Sequence, residues 1–228
     1  MPGVIWNALF AFSVASWLSV SASLAQDGET QAQARAREYP PLREDIERRA
    51  VTIWSDGTRM AGDLYLPKNR KPTDKLPAVV FANGTGGSKR KLPTRLGPAF
   101  AENGYAFLAF DYRGWGESDS KLTLLEPMPG PNEQGEVTVK ARAIRWQIDF
   151  ADQAEDIRNA MAFVAGEPGL DASKIGLLGT SYGGGLVTWV TAHEPRVKCL
   201  VMQVPGMAAG RSGKDPLPPY ALKIKQSR

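Results

Sequence analysis

The chain has 228 residues, 43% of them hydrophobic and 23% charged. That is ordinary globular composition, with enough apolar material for one domain and a sizeable core. The formal net charge is only +4, and the cations gather at Lys68–Lys75 and Lys89–Arg95 beside prolines and turns. No aromatic side chains interleave them, so they read as solvated faces and no nucleic-acid partner is expected. The single cysteine, Cys199, excludes a disulfide framework; set in an apolar run, it reads as a buried thiol.

Val4 to Val20 is apolar, and Ser23-Leu-Ala25 fits a small-x-small cleavage site. Residues 1–25 therefore read as a secretory signal peptide, which implies an exported, periplasmic or secreted protein with no membrane contact after cleavage. No Lys or Arg precedes Arg35, so the alternative is an uncleaved N-terminal membrane anchor, although the run is short for a span. Residues 26–45 are expected to form a mobile extension. Arg49 to Trp54 alternates like a strand, Ser55-Asp-Gly-Thr58 signals a turn, and Met60 to Leu66 reads as a second strand, which together predict an antiparallel hairpin. Pro77 to Ala82 and Tyr105 to Phe110 read as buried strands. Between them, Thr94 is the expected N-cap of a helix over Arg95 to Asn103.

Asp119 to Lys140 is a long insertion bearing proline and glycine, of the kind that often covers a site. Ile148, Ala151, Ala154, Ile157, Met161 and Val164 mark one face of a helix that ends at Gly166. On that helix Asp149, Asp152, Glu155 and Asp156 are expected to scatter mainly over the solvent side, so no metal site is implied. Trp54 and Trp189 read as core residues. Trp115 and Trp146 flank the insertion and are candidates for a substrate pocket, with core or lid packing as the competing role.

The organising stretch is Ile175-Gly-Leu-Leu-Gly-Thr-Ser-Tyr-Gly-Gly-Gly185. A short apolar strand runs into Gly-x-Ser-x-Gly, and a helix-compatible run, Leu186 to Ala192, follows. That is the context in which the pentapeptide means a nucleophile elbow. Ser181 then sits at strained, positive-φ geometry with its hydroxyl exposed. Gly179 and Gly183, lacking Cβ atoms, let the strand and helix backbones approach. The strand Lys198 to Val204 closes an order of hairpin, strand, helix, strand, helix, strand, which predicts an α/β fold with a mostly parallel sheet.

These pieces resemble the α/β-hydrolase family, and within it the dienelactone-hydrolase-like and Xaa-Pro-peptidase-like branches. The resemblance is carried by Ser55-Asp-Gly-Thr58, Asn83-Gly-Thr-Gly-Gly87, Asp111-Tyr-Arg-Gly-Trp-Gly-Glu-Ser118, Asp152 with Asp156-Ile157, and Gly179-Thr-Ser-Tyr-Gly183, from about Arg48 to about Pro205. It implies that Ser181 is the nucleophile and that the main-chain N–H groups of Tyr182 and Thr85 hold the oxyanion. A small acyl substrate is implied, without a cofactor. Asn83 stands where the family often has a histidine, and tolerance of unusual turn conformations is its expected role. Asp111 and Arg113 read as a structural turn with a local ion pair.

The family places its acid and histidine after the serine. Only 47 residues follow Ser181, and the only histidine is His193, expected in the loop after the elbow helix and about 15 Å or more away. The expectation is a C-terminally truncated hydrolase domain over 46–210 that lacks the last strands and helices, with an irregular tail over 211–228. As the last strand, Leu200 to Val204 would present an unpaired apolar edge, and self-association through it is expected. A serine hydrolase of carboxylic esters or related acyl bonds is the leading reading. A non-catalytic binding protein or inactive fragment is the second, and a serine peptidase of Xaa-Pro type the third.

Overall fold

The computed structural model describes residues 39–71 and 73–206. The expected signal peptide and the tail over 211–228 lie outside them, as does most of the extension over 26–45. Contacts divide the chain at Pro41/Leu42 into two units, and the second carries every helix and strand described here.

The chain enters as a hairpin, β1 (Ile46–Ser55) and β2 (Thr58–Pro67), paired antiparallel along its whole length. Asp56 and Gly57 turn it with φ of 52° and 71°, the left-handed pair that a two-residue hairpin requires. The other elements are β3 (Leu76–Ala82), α1 (Pro93–Glu102), β4 (Ala106–Phe110), β5 (Leu122–Leu124), β6 (Ala141–Ala143), α2 (Phe150–Gly166), β7 (Leu170–Thr180), α3 (Tyr182–His193) and β8 (Val197–Gln203). Six strands form one sheet in the order β1-β2-β4-β3-β7-β8. β2 meets β4 antiparallel, and the pairs from β4 to β8 are parallel.

The two-residue period of the strands separates the core into two layers. Leu64, Val80, Leu108, Ile175 and Leu177 pack with Ile157 and Met161 of α2 and Leu186 and Val190 of α3. Tyr65, Phe81 and Phe107 pack on the other face with Ala101, Leu96 and Phe100 of α1. The predicted sheet and hairpin are thus present, with strands longer than their apolar centres.

Several local expectations are corrected. Thr94 does not cap α1: Pro93 occupies the first turn behind Leu92, and the Thr94 hydroxyl donates to the Lys91 carbonyl at 2.8 Å. Proline's fixed φ starts the helix without a side-chain cap. Trp54 is 64% exposed, because its neighbours Ile53 and Ser55 take the inward side of β1. Trp189 lies partly exposed on α3, edge-on to Phe150. Cys199 is exposed on β8, where the described residues leave a sheet face uncovered. Ile148 precedes α2 and is exposed, as is Ala151.

The acidic residues of α2 do not all face solvent. Asp149 caps the helix, accepting from the N–H groups of Ala151 and Asp152, while Asp156 is fully buried. Its carboxylate accepts from the Ser55 hydroxyl at 2.7 Å and from the Arg113 Nε at 2.6 Å. Burial pushes this carboxyl up, and the donors from Arg113 and Ser55 hold against it. Arg113 therefore pairs with α2 rather than with Asp111. Asp111 instead accepts from the N–H groups of Lys89 and Glu117, and burial pushes its carboxyl up against those donors. Lys89 is not on a solvated face: it is buried, 3.3 Å from Asp63 and 3.0 Å from Glu117. Within the insertion, β5 pairs antiparallel with β6, which begins directly after the insertion ends at Lys140.

Candidate active site

β7 hands over to α3 at Ser181, whose φ of 51° and ψ of −120° lie outside the ordinary range for a side-chain-bearing residue. The bend depends on close backbone approach. A Cβ on Gly179 would overlap the Gly183 carbonyl, and one on Gly183 would overlap the carbonyl of Ala82 at the end of β3. The main chain of Ser181 is fully engaged. Its N–H donates to the Gln203 carbonyl at 3.0 Å, and its carbonyl accepts from Gly184 at 2.9 Å and Gly206 at 2.7 Å. The residue itself is exposed.

The loop after β3 runs against this serine. A Cβ built on Gly84 would lie 3.1 Å from the Ser181 Cβ and 3.8 Å from its Oγ. Thr85 follows, exposed. The loop is tied down at several points. Asn83 Nδ2 donates to the Phe110 carbonyl at 3.0 Å, and the Tyr112 hydroxyl donates to the Asn83 carbonyl at 3.1 Å. Asn83 has no left-handed φ, so its role here is this tether to β4 and not tolerance of an unusual turn. The loop after β3 and the start of α3 thus meet at Ser181. The first N–H groups of a helix have no intrahelical partner, and the helix dipole favours negative charge there.

The Tyr182 ring packs against the main core cluster, and its hydroxyl donates to the buried Gln153 Oε1 of α2 at 2.6 Å. Burial pushes this phenol up, with the nearby Asp149 carboxylate adding to it. Gln153 belongs to no sequence motif. Its signal was present, since it stands four residues before Ile157 on the helix face that packs into the core.

The two tryptophan candidates differ in exposure. Trp115 is 1% exposed, sits in the core edge-on to Tyr112, and donates its Nε1 hydrogen to the Gln147 carbonyl. It has no surface left for a substrate. Trp146, at φ 59°, is half exposed with its ring 5.6 Å from that of Trp115. His193 is the last residue of α3, not a loop residue; its Nδ1 lies 2.8 Å from the Trp189 carbonyl. Twelve helical residues put it roughly 18 Å along the axis from Ser181. An apolar hollow of about 270 Å³, between Val79, Phe100, Ile175–Leu178 and Val201, does not include Ser181.

The model of a family described as alpha/beta hydrolase fold matches residues 77–224. The quorum-quenching protein AidA of Acinetobacter baumannii is 28% identical over 155 residues, 68% of this chain and 43% of that protein. The crystal structure of a hypothetical protein from Pseudomonas aeruginosa superposes with a TM-score of 0.63 at 28% identity, over 84% of this chain and 54% of that one. An acetyl xylan esterase from Paenibacillus sp. R4 does so with a TM-score of 0.52 at 28% identity, over 72% and 50% of the two chains. The chain thus spans less than half the length of the curated relatives it matches.

Proposed function

Because the chain belongs to the α/β-hydrolase family, we propose that it carries the nucleophile and oxyanion site of a serine hydrolase acting on carboxylic esters or related acyl bonds. In this reading the Ser181 oxygen attacks the acyl carbonyl carbon. The carbonyl π pair moves onto oxygen, and the main-chain N–H groups of Tyr182 and Thr85 receive the charge. Each such donor is worth about 3–4 kcal/mol in the transition state. The hydroxyl proton does not go to His193, which stands at the far end of α3; the base comes from outside the described residues. Trp115, packed in the core, presents no surface to the acyl group, whereas the half-exposed Trp146 stays a candidate for lining its pocket. Export belongs to the same proposal, and a mature protein beginning at Gln26 is its direct test.

The observation that carries the reading is the left-handed φ of an exposed serine, with Gly84 against its side chain. The test is labelling with a fluorophosphonate, in which an Oγ–P bond forms as P–F breaks and the hydroxyl proton leaves with fluoride. Labelling that disappears in Ser181→Ala is the expected result. Equal labelling of the two proteins overturns it. Among the described residues no histidine stands near Ser181, which favours a second reading, a non-catalytic binding protein of the same fold, for which no labelling at Ser181 is expected.

A further inference from the structure

The first turn of α3 reads Tyr182-Gly-Gly-Gly185. Tyr182 is its only side chain, and Ser181 supplies no side-chain cap. Whatever fixes this turn laterally must therefore act through backbone packing or through Tyr182. The tyrosine's hydroxyl reaches across to α2, where it donates to Gln153 Oε1 at 2.6 Å, a contact between residues 29 apart in sequence. Gln153 is 1% exposed.

The glutamine gains little else from its position. Its Nε2 is buried without a hydrogen-bond partner among the described residues, so it carries a desolvation cost that an apolar residue of similar size would avoid. Around it α2 packs through Ala154, Ile157 and Met161, and an apolar side chain at residue 153 would fit that layer. The phenol, in contrast, needs an acceptor: it is partly buried and stays protonated, and a hydroxyl withdrawn from water without a partner is costly.

We propose that Gln153 is a positioning residue for Ser181: it holds the Tyr182 side chain, and thereby sets where the Tyr182 N–H and the Ser181 hydroxyl point. The inference rests on the reading of Ser181 as a nucleophile. Its structural half, restraint of the first turn of α3, stands separately. A hydrogen bond at one end of a residue whose own N–H faces the reacting oxygen restrains both, because the ring leaves only two side-chain torsions between them. Loss of the restraint leaves the elbow's overall shape to the glycine contacts but loosens the donor.

The experiment uses the full chain with Gln153→Leu, Tyr182→Phe and the double variant, compared by fluorophosphonate kinetics and amide hydrogen exchange. Each single variant is expected to lower the maximal labelling rate about 10-fold with the half-saturating probe concentration nearly unchanged, since a small misplacement acts on the reacting geometry. The double variant should lose no more than either single, because both remove one interaction. Exchange at residues 182–186 should quicken about 10-fold while that of β1 and β2 stays unchanged, marking a local opening. Unchanged labelling and exchange in both single variants, or losses that add in the double variant, would overturn the proposal. If the wild type is not labelled at Ser181, the hydrolase reading falls, and the exchange measurements still decide whether Gln153 restrains the turn.

Discussion

The two sides of the sheet are held by different means. On the hairpin side, side chains from distant elements meet underground. Ser55 of β1, Arg113 after β4 and Asp156 and Asn159 of α2 share one hydrogen-bonded cluster, and Lys89 joins Asp63 and Glu117. On the nucleophile side the side-chain bonds are those of uncharged groups, Asn83, Tyr112 and Tyr182, and the bend itself rests on the main chain. Gly84, Gly179, Gly183 and Gly206 set backbone against backbone around Ser181. A cluster of charges can relax when one member is altered, whereas a backbone contact with no spare space cannot. The motif side should therefore be the less tolerant of small changes, although it holds no buried ion pair among the described residues.

Gly183→Ala is the sharpest way to break that contrast. Its Cβ would overlap the Ala82 carbonyl, which β3 and β7 hold in register. A loss of about 4 kcal/mol or more is expected, in the range reserved for strained or overpacked sites, measured by urea unfolding followed by circular dichroism. Asp156→Ala comes next. Arg113 is left buried beside an empty position, for an expected loss of about 3–5 kcal/mol. If Asp156→Ala proves the more damaging of the two, the hairpin side is the rigid one and the contrast reverses.

The same contrast explains what could be read from the sequence. The elbow was legible because it consists of glycines at fixed positions around a serine, so the constraint is printed in the residue types themselves. The hairpin was legible from Asp56-Gly57 and the alternation around it. The ion-pair cluster was not: Arg113 lies 43 residues from Asp156, and no local pattern says that the arginine turns away from Asp111 toward a helix. Trp54 and Cys199 misled for a related reason, since an apolar residue on an edge strand is buried or exposed according to what covers that face. Gln153 fell between the two cases. Its phase on α2 was readable, but its partner Tyr182 was not.

The edges of the sheet differ as well. β1, the other end of the strand order among the described residues, carries the charged Glu47, Arg48 and Arg49, which discourages pairing with another chain. β8 is an edge strand among the described residues, with Val201 47% and Met202 43% exposed and only Lys198 to oppose association. Self-association of two copies through β8 remains our proposal. Sedimentation velocity at rising protein concentration should reveal it, and Val201→Lys should weaken it while Trp54→Lys on the opposite edge does not. Equal effects of the two substitutions would remove β8 from the interface.

The smallest expected effect lies where α3 ends. Glu194 accepts from Arg196 through both carboxylate oxygens, at 2.8 and 2.7 Å, and this partner holds its carboxyl down at about 2. A carboxyl depressed in the folded state stabilises the protein above its ordinary range, near 4.5, and loses that contribution as the pH falls toward 2. Arg196 is 43% exposed, so the pair is screened by solvent and worth about 0.5 kcal/mol. Glu194→Gln should therefore lower stability slightly and evenly at neutral pH, and the gap from the wild type should close between pH 5 and 2 in paired acid titrations of the unfolding midpoint, a window that follows from the depressed carboxyl. A gap that persists to pH 2 would mean that the residue acts by packing at the end of α3. The nucleophile side would then hold a side-chain anchor beyond the Tyr182–Gln153 contact.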